Sequence, residues 1–75
     1  MAIRVRKRAL SKAEKAVAER IAEQCMEQAG GDVQIAKAMF NRHPDIMALD
    51  IGTVILMFQI AKLIFDILKK RWANR

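Results

Sequence analysis

Between Ile51 and Leu68 the polar side chains are Thr53, Gln59, Lys62 and Asp66, and apart from Gly52 every other position is apolar. Wound into a helix, Gln59, Lys62 and Asp66 fall on one narrow stripe that continues to Lys69 and Lys70. The rest of the circumference is greasy. One face carries Ile51, Ile55, Phe58, Phe65 and Leu68, and another carries Leu49, Leu56, Ile60, Leu63 and Ile67. A helix that is apolar over most of its surface must be covered over most of it. The remainder of the chain has to supply that cover or leave it to a partner.

The remainder is small. A 75-residue chain forms one domain and buries only a little over ~60% of the surface its unfolded form exposes, so its stability is marginal without a staple or a partner. A lone Cys25 closes no intrachain disulfide, and a single His43 without a cysteine cluster supplies no structural metal site. A metal, a cofactor and a small-molecule substrate are not expected; a partner is. The unpaired thiol suits a reducing compartment, and no apolar run follows Arg4, Arg6, Lys7 and Arg8 as a secretory signal requires, so the expected location is cytoplasmic.

One Pro, three Gly and no Tyr leave little turn chemistry in a chain dominated by helix formers. The fold class is therefore all-α, with three helices over about 11–29, 32–42 and 44–72 following a basic arm at 1–10, residues 11–75 forming the single helical domain. Dense like charge from Arg4 to Arg8 keeps the arm from organising itself, although Ile3, Val5 and Leu10 can dock. Ser11-Lys12-Ala13-Glu14 has the spacing of a capping box. Beyond it, Ala13, Val17, Ile21, Cys25 and Ala29 recur on one face, while Glu19, Glu23 and Glu27 make an acidic stripe. Gly30-Gly31 stops that helix, because glycine accepts the left-handed geometry of a helix end. Asp32 caps the next, and Pro44 limits it, since the residue before a proline avoids the α region. Pro44 and Asp45 suit the first turn of the last helix, which has a weak spot at Gly52-Thr53 where it can kink or restart.

Gly30-Gly31-Asp32-Val33 followed by Ala36 resembles the second-helix entry of Fis-type helix-turn-helix proteins, and also the corresponding loop of ubiquitin-associated domains. The resemblance ends there. A recognition helix presents polar and basic side chains to base edges, whereas this chain continues into Ile51-Gly52-Thr53-Val54-Ile55-Leu56-Met57-Phe58. No family follows from it.

The formal charge of +6 is concentrated at the ends: +5 over residues 1–15, +4 over residues 69–75, and −3 between them. Arg4, Arg6, Lys7 and Arg8 with Lys69, Lys70 and Arg71 form a candidate surface for nucleic acid or another polyanion, binding phosphates without reading sequence. The alternatives are a solubilising tail, or pairing of the C-terminal cations with Glu19, Glu23 and Glu27 of another subunit. Trp72 beside the cluster either stacks on a base or packs at the helix end. Lys62 and Asp66, four residues apart, read as a solvated pair in preference to a buried one that fixes register.

Catalysis is not expected. Ser11 is used as a cap, Cys25 lies on an apolar face, His43 sits in a connector, and nothing orients a Cys25–His43 nucleophile and base. A membrane span is disfavoured because the run from Ile51 to Ala61 is 11 residues long before Lys62 interrupts it, against the ~20 a span needs. A Lys-flanked helix lying in a membrane interface, with Trp72 beyond it, is the less favoured alternative. The reading as a whole is a non-catalytic interaction or structural protein. It self-associates, in the first instance as a dimer, through Ile51, Ile55, Leu56, Phe58, Ile60, Leu63, Phe65, Ile67 and Leu68, and its basic ends contact an anionic partner.

Overall fold

The computed structural model describes residues 9–74, and these form helices with no strand among them. In chain order the helices are α1 (Lys12–Gln28), α2 (Val33–Asn41), α3 (Pro44–Met47) and α4 (Ile51–Ala73).

Local chemistry sets each boundary. Ser11 caps α1: its hydroxyl accepts the Glu14 N–H at 3.1 Å, and the Glu14 carboxylate accepts the Ser11 N–H at 3.0 Å. At the other end the Gly30 N–H donates to the Glu27 carbonyl and the Gly31 N–H to the Met26 carbonyl, the paired bonds of a Schellman stop. Both glycines hold positive φ, +63° and +88°. Asp32 starts α2 by accepting the N–H groups of Gln34 and Ile35 through Oδ1. His43 starts α3, with Nδ1 accepting the Asp45 N–H at 3.1 Å and Pro44 occupying the first turn.

The expected single helix from 44 to 72 is two helices. The break falls at Ala48–Asp50, just upstream of Gly52, and its cause is a cap. Asp50 leaves the helical region (φ −66°, ψ 158°) and accepts twice from Thr53, from the backbone N–H at 3.3 Å and from Oγ1 at 2.6 Å. Thr53, 2% exposed, is the buried polar side chain of the interior, and Asp50 satisfies its hydroxyl. Gly52 therefore sits in the first turn of α4 and does not kink it.

α4 packs directly against α1 and runs in the same direction, its first half beside Leu10 and Lys15 and its end at Glu23 and Gly31, while α2 packs against both helices. Ala18, Ile21, Ala22, Cys25 and Met26 of α1, Ala36 and Phe40 of α2, Ile46 of α3 and Met57, Ala61, Phe65 and Leu68 of α4 make the core. At its centre the Phe40 and Phe65 rings meet edge to face, centroids 5.8 Å apart, a favoured aromatic geometry. Leu10, 9% exposed, joins this core, so the chain is engaged one residue ahead of the Ser11 cap.

The far end of α4 is fixed by Trp72, whose ring lies over the α1–α2 turn. A Cβ built on Gly31 would stand 2.7 Å from Trp72 Cε3, whereas one on Gly30 meets nothing within 4 Å. Gly30→Ala should cost about 1 kcal/mol for the left-handed backbone alone. Gly31→Ala should cost about 2–4 kcal/mol, adding an overpacking term of the usual size. Urea denaturation followed by helix circular dichroism should show that excess, and truncating Trp72 to Ala in a double-mutant cycle should remove most of it. Equal losses for the two alanine variants would contradict this packing.

Candidate interaction surface on the C-terminal helix

α4 spends one stripe on the core: Thr53, Met57, Ala61, Phe65 and Leu68 are its buried residues. With about 3.6 residues per turn, that stripe occupies one side, and α1 and α2 cover it. The other sides keep their apolar side chains in the open. Ile51 is 81% exposed, Ile55 52%, Leu63 65% and Ile67 56%.

The set expected at an interface therefore divides. Phe65 and Leu68 are corrected to core residues, 1% and 4% exposed, because the face they share with Met57 and Ala61 is the one the shorter helices cover. The remaining seven lie on two flanks of that face. Leu56, Ile60, Leu63 and Ile67 run along the α1 side; Leu56 and Ile60 are half-buried and border a shallow cleft of about 250 Å³ with Leu10, Lys15, Gln59 and Leu63. Ile51 and Ile55 lie on the other flank with Phe58. That ring is half-buried and reaches a cleft of about 310 Å³ against Lys37 and Asn41 of α2. Gln59, Lys62, Asp66, Lys69 and Lys70 are all exposed: Gln59 lies between the flanks, Lys62, Asp66 and Lys69 continue the flank of Ile55 and Phe58, and Lys70 follows Ile67 on the other. Lys62 and Asp66 thus occupy the solvated stripe, and the position facing the core at that level belongs to Ala61.

α4 is long and apolar enough to cross a bilayer by length and composition, with 23 residues and an 18-residue stretch whose mean hydropathy is 2.0. This revises the count that stopped at Lys62, because Leu63 to Leu68 extend the apolar character through both charges. In this fold, however, a span would set Lys62 and Asp66 against lipid, where charged groups are costly.

Of the basic residues, Arg4, Arg6, Lys7 and Arg8 lie outside the described residues. Lys69 and Lys70 are exposed on the last turns of α4, favourably placed against the negative end of the helix dipole. Arg71 Nη1 lies 3.7 Å from Glu23 Oε1 in the same chain, so the acidic stripe of α1 meets the C-terminal cations within one molecule. Trp72 packs at the helix end against Gly31. Sequence reasoning missed that contact, although a tryptophan in the last turn and a double glycine at a helix stop are its signal.

Cys25 and His43 do border one cleft, of about 420 Å³, together with Gln28, Ile35, Met39 and Arg42. Cys25 is 2% exposed, and burial pushes its thiol up from the ordinary 9.0, the opposite of what an activated nucleophile needs. His43 Nδ1 is occupied in capping α3. Among the described residues no three His, Cys, Asp or Glu side chains gather to hold a metal ion. Comparison with protein-family models, with characterised proteins and with solved structures finds no match.

Because the thiol's pKa is higher in the folded chain than in the unfolded one, its contribution to stability is complete below the unfolded value and is lost as pH rises through the folded one. The wild type should therefore lose stability relative to Cys25→Ala as pH climbs from 9.0 upward, measured by urea midpoints at each pH. Maleimide labelling at neutral pH should be slow in buffer and fast in denaturant. Rapid labelling of the folded protein would show that Cys25 is open to solvent.

Proposed function

We propose that this is a small, non-catalytic interaction protein of the cytoplasm that assembles with copies of itself through the exposed flanks of α4. Its basic ends would hold an anionic partner. The observation that carries the reading is the exposure of Ile51, Ile55, Leu63 and Ile67 on the helix whose opposite side already forms the core. Fully covering one Leu or Ile is worth about 1.5–3 kcal/mol, and among the described residues no further element covers these four. Exposed apolar surface of this extent on a soluble domain marks an interaction site. Lys69 and Lys70, free of the core and adjoining that surface, support contact with phosphates, to which Arg4, Arg6, Lys7 and Arg8 would add.

A second reading rests on the mean hydropathy of 2.0 over 18 residues of α4: the same flanks would lie on an anionic bilayer, with the basic ends against its headgroups. The two readings part on a single preparation. Under the first, the protein is soluble without detergent, sediments as a concentration-dependent oligomer and ignores anionic vesicles. Under the second, it is monomeric in buffer and pellets with such vesicles in a salt-sensitive way.

Leu63→Asp and Ile67→Asp should keep the helical signal and weaken self-association by about 2–4 kcal/mol, the range of a central interface residue. Phe65→Asp, by contrast, should unfold the chain by placing a charge in the core. Sedimentation equilibrium with circular dichroism checks both. A wild type that remains monomeric at the highest attainable concentration would refute self-association.

A further inference from the structure

The two flanks of α4 differ in a way that identifies the occupant of one of them. Leu56, Ile60, Leu63 and Ile67 follow one another at intervals of four, three and four residues, the alternation that keeps a straight seam facing a second helix. The other flank has no such continuation, because Lys62, Asp66 and Lys69 follow Ile55 and Phe58 there.

Two copies of such a seam can pair in parallel or antiparallel. In a parallel pair each residue meets its own counterpart. Lys70, three residues beyond Ile67 and next on the seam, would face the partner's Lys70, with Lys69 and Arg71 of both chains crowded at the same end. In an antiparallel pair the seam is its own complement. A two-fold axis between positions 61 and 62 sets Leu56 against the partner's Ile67, and Ile60 against the partner's Leu63, so all four layers are filled by aliphatic side chains. That register also carries Lys70 to the level of the partner's Thr53, within one turn of the partner's Asp50, the exposed carboxylate that caps α4. The cations of each end are thereby separated from one another, and Lys70 is brought near the one carboxylate, Asp50, that caps the opposite helix. A shallow cleft edged by Leu10 and Lys15 lies beside Ile60, the position that the partner's Leu63 would face in this register.

We infer that the protein forms a two-fold symmetric dimer in which the α4 helices pair antiparallel along Leu56, Ile60, Leu63 and Ile67, with Lys70 of each chain beside Asp50 of the other. The inference rests on the self-association proposed above and adds the face, the direction and the register.

Direction is read by cross-linking. In a Cys25→Ala background shown by circular dichroism to be folded, Leu56→Cys and Ile67→Cys are made separately and treated with a short bis-maleimide. An antiparallel dimer gives covalent dimer when the two variants are mixed and little from either alone. A parallel dimer gives it from each alone, which would overturn the pairing while leaving self-association standing. A dimer that cross-links in no combination would show that the seam is not the contact, also overturning the inference alone. Lys70→Glu, in the otherwise native chain, gives an independent sign. Antiparallel pairing predicts a several-fold weaker dimer, with the loss shrinking at high salt; parallel pairing, which sets position 70 against itself, predicts instead that a mixed dimer of wild type and Lys70→Glu is tighter than either homodimer. A monomeric wild type that floats with anionic vesicles would place lipid on this face, and self-association and pairing would fall together.

Discussion

The structure depends on one stripe of α4, Thr53, Met57, Ala61, Phe65 and Leu68, closing over Met26, Phe40 and Ile46. α1 supplies mostly small and medium side chains to that contact, and α2 is nine residues long, so the cover they make is narrow. Everything else about the molecule follows from this mismatch. The widest apolar element in the chain is matched to the least bulky partners, the fold satisfies one of its sides, and the flanks are left over. The small residues are also what allow the approach: Ala18, Ala22 and Ala36 are fully buried where larger side chains would hold the helices apart.

Much of the fold is legible in the sequence because its punctuation is local. Ser11 with Glu14, Gly30 with Gly31, Asp32, and Pro44 with Asp45 each act within four residues of themselves, and a reading by spacing finds them. Asp50 acts at the same range through Thr53, but an alternative signal concealed it. Glycine's low helix propensity drew attention to Gly52, whereas the boundary is set by an aspartate whose side chain offers a better bond than the continuing helix would. The division of α4 into core and flank was not legible for a different reason. Around an almost wholly apolar helix no polarity contrast marks the inner side, and the choice between Phe65 and Leu63 is made by the aromatic partner at Phe40, which lies in another helix. The candidate surface was thus readable as a helix and not as a face.

Electrostatics plays a lesser part in holding the molecule together. Arg71 and Glu23 are both well exposed at 3.7 Å, and pairs of that kind contribute ~0–1 kcal/mol. Their importance is in arrangement. By drawing Arg71 toward α1 the pair leaves Lys69 and Lys70 as the outward charges of the last turns, which separates the basic character available to a partner from the part engaged by the protein's own acidic stripe.

The contact between Trp72 and Gly31 also bears on how the chain reaches this shape. α1, the glycine turn and α2 are near neighbours in sequence, and they can associate early, because closing a short loop costs little entropy. Trp72 comes from the opposite end of the domain and finds its seat only after that turn exists, since the space it fills is defined by a glycine with no side chain held at φ +88°. The latch is then a late, long-range step. Until it closes, the last turns of α4 are held by Leu68 and the exposed Arg71–Glu23 pair, so that helix end opens at low cost.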